Sequence, residues 1–391
     1  MNEQSKAAHR RAGLSEGAQL ALDFILHRNC RGIPIWQINP MEWRAIDAIA
    51  GVPEGSYEAD PKNTYRRMLV NSACCMLDQW IPENPLSMGT SGYQSEAPRT
   101  ATTGIKAPVV DGIVIDSPEA AVQHMESTLF PRLLSAIRHF DPAEHRASCL
   151  AQEREIRDFL EPDILKAPYS WPFASFPCLA YGIYGYENYF MAYALYPEIM
   201  ERHFKLQADL AVLRNQASAE AIREENLPPC IRLDHDMADG RGTLVGIESL
   251  DRIWFPHFER SIRPFVEAGI TLLWHCDGNL MKMIPRLIEC GVSGFQGFQY
   301  EYGMDYEEIC RMKTREGDDL LIVAGVSVTT TLPHGSPSDV RREMQWLVEK
   351  APRRGLMLGA SSSITPGVPL QNLKTMIEGF WHYRTHGKSQ F

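Results

Sequence analysis

The sequence predicts an α/β fold, a (β/α)8 TIM barrel preceded by an amino-terminal helical extension. Its carboxyl half alternates short apolar runs with amphipathic stretches, the pattern of βαβ units on a parallel sheet. The runs end roughly every 25 to 40 residues, a spacing that fits eight such units closing on themselves. Polar residues with chemistry to offer gather where the apolar runs stop, at the edge where such barrels keep their active sites.

In chain order, Leu14–His27 has helical spacing and forms the body of the extension, residues 1–30, leaving 31–391 as the barrel domain. Arg31–Ile38 (R-G-I-P-I-W-Q-I) reads as the first strand, and Tyr65–Asp78 has helical spacing. Asn84–Pro108 is rich in Ser, Gly, Thr and Pro. A stretch of that length without periodicity is a surface loop or a lid over the barrel mouth. The aromatic run that follows contains Tyr181, Tyr184, Tyr186 and Tyr189, which either fill core or line a pocket for a flat ligand.

Pro229–Leu233 is the next strand, followed by a helix near Leu250–Ala268. Ile270–His275 comes next, then a helix with Pro285 in its first turn and Gly291 just past its end. Gly294–Gln299, Leu320–Val326 and Gly355–Leu358 read as further strands. Helices over Asp305–Lys313 and Pro337–Lys350 separate them, and Leu370–Phe380 is the last helical stretch.

Composition narrows the partners. Lys and Arg total 39 against 49 Asp and Glu, a formal net charge of −10, and no basic stripe reverses that sign locally. Such a surface repels phosphate backbones, so nucleic acid is not expected as a partner. No apolar stretch approaches the ~20 residues that cross a bilayer, and residues 1–13 lack the apolar core of a secretion signal. The nine cysteines, Cys74 and Cys75 adjacent among them, show no C-x-x-C spacing. They read as reduced thiols in a cytoplasmic protein.

The densest chemistry lies at two strand ends. Ile270–Gly278 reads I-T-L-L-W-H-C-D-G. Alternation along a strand sends His275 and Asp277 to one side and Cys276 to the other. After the Pro229 strand, Asp234-His235-Asp236 and Asp239 put three carboxylates and an imidazole within six residues. This acidic set can hold a metal, position a basic group or raise one carboxylate's pKa; it can equally be a helix cap and a solvated loop. His275 and Asp277 are two ligands where catalytic zinc takes three, so a third must come from Asp236, Glu301 or Ser361–Ser363. The glycines around Arg241 do not follow G-x-G-x-x-G, and no G-x-S-x-G elbow is present.

Several of these stretches carry a resemblance: W-H-C-D-G-N-L at Trp274–Leu280, G-V-S-G-F-Q at Gly291–Gln296, G-M-D at Gly303–Asp305, A-G-V at Ala324–Val326 and P-G-V-P-L-Q-N at Pro366–Asn372. P-I-W at Pro34 and Y-E-x-D-P at Tyr57–Pro61 fit more loosely. With these motifs the chain resembles the uroporphyrinogen decarboxylase (URO-D) superfamily, which includes the corrinoid-linked methyltransferases. The resemblance implies a (β/α)8 barrel with its site at the carboxyl ends of the strands. The departures matter as much. The family's decarboxylases carry an R-Q-A-G-R clamp for substrate carboxylates where this chain reads Gln37-Ile38-Asn39-Pro40-Met41-Glu42. Its zinc methyltransferases show H-x-C and a distal cysteine, where this chain has Asp277 and Ser362.

The resemblance therefore implies an atypical methyltransferase that moves a methyl group from a small O- or N-methyl donor to cobalamin on a separate corrinoid-binding protein. Asp236, His275 and Asp277 are the expected acid/base or metal-holding set, with His275 and Asp277 as ligands of a divalent metal such as zinc. Asp239, Gln299, Tyr181 and Tyr184 are expected around the substrate. A uroporphyrinogen decarboxylase-type carboxy-lyase, which needs no cofactor, and a non-catalytic ligand-binding barrel are the alternatives.

Overall fold

The computed structural model describes residues 13–82 and 108–391. Residues 84–107 of the expected loop or lid lie outside the described residues.

Parallel pairing organises the chain. Met76–Leu77 (β1) pairs with Leu165–Lys166 (β2). Cys230–Asp234 (β3), Thr271–His275 (β4), Gly294–Gln296 (β5), Leu321–Val326 (β6) and Leu356–Ala360 (β7) form one parallel sheet in that order. Bridges connect the two sheets. Tyr169, just past β2, pairs with Arg232 of β3, while Ile35 pairs with Leu358 of β7 and Trp36 with Met76 of β1. The parallel pairings thus return to their start in a TIM-like ring, with residues 35 and 36 standing in for a first strand.

The helices between strands begin and end on local chemistry. Ile284–Cys290 has Pro285 in its first turn and stops at Gly291, whose φ of +112° suits a residue without Cβ. Pro337–Lys350 opens on a capping box between Ser336 and Asp339. Strand alternation then sorts the side chains. Trp274 turns to the helix layer and meets Phe258 at 5.4 Å and Trp254 at 6.1 Å between ring centroids. Its neighbour His275 packs instead beside β5.

Three readings change. The helix expected over Tyr65–Asp78 spans Pro61–Asn71, capped by Asp60. Ala73 then takes a left-handed φ of +62°, and the buried run beyond it supplies β1. Short apolar runs do not distinguish strand from helix, which is why the pattern misled. The expected strand Arg31–Ile38 shrinks to bridges at Ile35 and Trp36; Pro34, lacking an N–H, offers the ladder only its carbonyl, which accepts from Leu358 at 3.0 Å. The last helix runs on from Leu370 to His386. The sequence reading also passed over β2 and the helices Pro142–Leu160 and Pro197–Glu224.

The β6–β7 contact leaves no room for a side chain at Gly325, which pairs with Gly359. A Cβ there would stand 2.1 Å from the carbonyl carbon of Ala360. Gly325→Ala is therefore expected to cost about 3 kcal/mol and to lower the urea midpoint. An unchanged midpoint would contradict this packing.

Candidate functional site

The register of three neighbouring strands sets the site, because Asp234 of β3 faces His275 of β4 and His275 faces Gln296 of β5. The Nδ1 of His275 lies 3.2 Å from the Gln296 carbonyl oxygen. A carbonyl only accepts, so Nδ1 carries a proton and Nε2 is the nitrogen turned to the cluster, where its lone pair can serve a ligand once that nitrogen is unprotonated. Gly297 makes this possible. Its φ is +80°, and a Cβ there would sit 2.8 Å from Nδ1.

Asp277 and Asp236 complete the cluster. Asp236 Oδ1 accepts the Asp277 N–H at 3.0 Å, and the Tyr181 hydroxyl donates to the Asp236 carbonyl at 2.8 Å. Ser362, just past β7, donates to Asp277 Oδ2 at 3.3 Å. Asp277 Oδ1 is buried with no hydrogen-bond partner among the described residues. One ligand atom each from Asp236, His275 and Asp277 lies within 4.8 Å of the others. Of the sources the sequence offered for a third ligand, Asp236 is the one in this group. Glu301 instead accepts hydrogen bonds from Ser327 and Thr329.

Cys276 faces the other way, as alternation requires. Its sulfur accepts the Met237 N–H at 3.2 Å, and burial pushes the thiol up to about 12. It offers no thiolate to the cluster at neutral pH.

A buried cation underlies the acidic group. Arg232 of β3 donates through Nε to Asp78 at 2.9 Å and through Nη1 to Asp234 at 2.8 Å. Its guanidinium lies 5.2 Å from the Tyr169 ring and 5.8 Å from that of Trp36, and Tyr169 also donates to Asp234 at 3.2 Å. Burial works against ionising Asp234, but Arg232 and His275 outweigh it and hold the carboxyl below its ordinary range. Asp277 goes the other way. Burial pushes it up and Asp236 adds to this, against the pull of His275. His235 is pushed down to about 4 by burial and accepts the Leu179 N–H at 2.9 Å, so this imidazole is a neutral structural group.

The expected substrate residues divide. Tyr181 touches the cluster through Asp236 and stacks on His235, with ring centroids 6.0 Å apart. Gln299 is buried and accepts the Gly278 N–H at 2.7 Å, which fixes the turn after β4 and commits its carbonyl to the backbone. The Asp239 side chain is paired with Arg241 at 2.7 Å on an exposed hairpin, while its carbonyl holds the Asn279 N–H. Tyr184 is buried and hydrogen-bonds His124 at 2.9 Å; this core role replaces the pocket-lining one expected for it. The sequence reading missed Arg232 and Asp78, and held Tyr169 only as one of the aromatic run that fills core or lines a pocket. An arginine inside the apolar run C-I-R-L-D was the available signal, since a cation in a buried strand needs a buried partner.

No family model matches the sequence, and no curated protein is similar to it by sequence. Among solved structures, a methyltransferase from Methanosarcina mazei matches 95% of this chain and 99% of its own length, with a TM-score of 0.53 and 16% identity. That likeness extends to the fold. A B12-independent methionine synthase from Shewanella sp. W3-18-1, in complex with selenomethionine, matches 47% of this chain and 56% of its own at a TM-score of 0.33 and 12% identity, too low to argue from.

Three variants check this electrostatic arrangement. Arg232→Met leaves Asp78 and Asp234 buried without their cation and is expected to cost about 3–5 kcal/mol in urea unfolding. Arg241→Ala, which removes an exposed partner of Asp239, should leave the urea midpoint essentially at the wild-type value. Asp277 has a raised pKa, so its ionised form opposes folding. Asp277→Asn in EDTA is then expected to raise Tm at pH 7. The gain should shrink as pH falls through the raised value and vanish below about 3.9, the unfolded value. A lower Tm at pH 7 would refute the assigned direction.

Proposed function

We propose that this chain is a methyltransferase-like barrel of the URO-D superfamily, transferring a methyl group from a small O- or N-methyl donor to cobalamin on a separate corrinoid-binding protein. The observation that carries this reading is the cluster of Asp236, His275 and Asp277, with ligand atoms within 4.8 Å of one another and no thiolate among them. Thiolates suit a site that activates a thiol acceptor; oxygen and nitrogen donors suit a harder divalent ion. The unpartnered, buried Oδ1 of Asp277 fits such an ion, since a bound cation would satisfy it.

When bound, a divalent ion supplies Lewis acidity at the oxygen or nitrogen that the methyl group leaves. The rest falls to the protein's own groups. His275 presents Nε2 because Gln296 holds its other nitrogen, and Tyr181 and the Asp277 amide fix Asp236 from two sides. As the bond to methyl breaks, the departing oxygen or nitrogen must gain a proton or a cation. With no ion bound, Asp277, raised by burial and by Asp236, is the carboxyl suited to hold that proton; with an ion at its Oδ1 it would be an ionised ligand instead. The buried guanidinium does not favour a carboxylate-rich substrate. Arg232 is already taken by Asp78 and Asp234, so it has no free fork to clamp another anion.

The test has two parts. EDTA-treated protein titrated with Zn2+ or Mn2+ in a calorimeter is expected to bind one ion, and His275→Ala or Asp236→Ala to weaken it at least tenfold. Reduced cobalamin with a panel of methyl ethers and methylamines should yield methylcobalamin by absorbance, and the same variants should slow it at least a hundredfold. Metal affinity unchanged in both variants would remove the ligand assignment. Absence of methylcobalamin with every donor would remove the transfer reaction.

A further inference from the structure

A cavity of about 350 Å3 opens at the opposite end of the ring, where residues 35–36 and β7 begin. Arg28 and Arg31 line it from one stretch, Arg353 and Arg354 from a second, and Lys388 from the carboxyl-terminal segment. Among the described residues, no carboxylate lines it. Two acids already reach lining residues. Asp23 pairs with Arg28 at 3.1 Å, while Asp319 pairs with Lys313 and accepts the Arg354 backbone N–H. Lys388 is held in place by the carbonyls of Ala351 and Pro352, each 3.0 Å from its Nζ. The guanidinium groups of Arg31, Arg353 and Arg354 form no ion pair or hydrogen bond with another described residue.

We infer that this cavity binds a small polyanion through a pyrophosphate-type group. The chain as a whole carries −10, so three arginines without an ion pair among the described residues, lining one concave site with Arg28 and Lys388, run against its general charge. Like charges brought together repel unless an anion is shared between them. Guanidinium forks match phosphate oxygens two at a time, and an ammonium adds a point charge. The volume lies within the range of small-ligand sites. Phe24, Ile33 and Leu356 give the same cavity apolar walls, against which a bridging anion works through a less screening medium than open water. Such a ligand ties the segment after the first helix to the start of β7 and to the carboxyl-terminal segment. The site shares no residue with the Asp236 cluster and stands independently of the reading given above.

The full-length protein titrated with inorganic pyrophosphate at physiological ionic strength tests this. Saturable binding of one pyrophosphate per chain is expected, with a Tm that rises with ligand concentration. Arg31→Ala combined with Arg353→Ala should weaken binding at least tenfold, with a ligand-free Tm no lower than that of the wild type and divalent-metal binding unchanged. Arg354→Gln should weaken it separately. ADP binding more tightly than pyrophosphate would assign a nucleotide as the source, and weaker ADP binding would assign free pyrophosphate. The inference is overturned if no saturable binding occurs up to millimolar pyrophosphate, if sulfate competes as well as pyrophosphate does, or if the double variant binds as tightly as the wild type.

Discussion

The guanidinium of Arg232, buried between Asp78 and Asp234, sets the conditions for everything around it. It ties β3 to the residue that follows β1, across the stretch where the ring is held by short strands and a single bridge. A buried ion pair of this kind is costly to desolvate and returns that cost only when its geometry is complete. Here it is complete, with a carboxylate at each of two nitrogens and two aromatic rings beside it. The pair is therefore both a constraint on register and a fixed source of negative charge beside His275.

That charge explains why neighbouring carboxylates behave differently. Asp234 is matched by Arg232 and stays ionised readily. Asp277 has no cation of its own beyond the His275 ring, lies beside Asp236, and keeps one buried oxygen without a partner. An unpaired buried oxygen of this kind weakens the native state unless something fills its place. Strain of this sort concentrates where a site must receive a cation or deliver a proton.

The similarity to the Methanosarcina mazei methyltransferase covers nearly the whole of both chains while only 16% of residues coincide. Parallel pairing and layered packing require apolar character and side-chain alternation more than particular residues, so an architecture can persist where its sequence does not. Chemistry is less forgiving. The site must be judged on its own donors, and these are two carboxylates and an imidazole.

How far the sequence could be read depended on how regular each part is. The helices at Ile284–Cys290 and Pro337–Lys350 were legible because Pro, Gly and Ser act on the backbone within a turn of where they stand. The opposed directions of His275 and Cys276 were legible too, since alternation is a property of any extended chain. β1, two residues long, and the bridges at Ile35 and Trp36 were not, because their extended form is imposed by neighbours far away in sequence. The same holds for Tyr184, a tyrosine in an aromatic run whose partner, His124, lies 60 positions earlier.

By itself, then, the sequence determined the alternating α/β plan, the strand-end position of His275 and Asp277, and the net negative charge. These follow from local periodicity and composition. Only the tertiary structure decided how near Asp236, already grouped with them by sequence, comes to that pair, that Arg232 is held by two carboxylates, and that cations near residues 28, 353 and 388 line one cavity. Each of those is a distance between residues remote in sequence, fixed by strand register and ring closure, and nothing in a one-dimensional pattern encodes it.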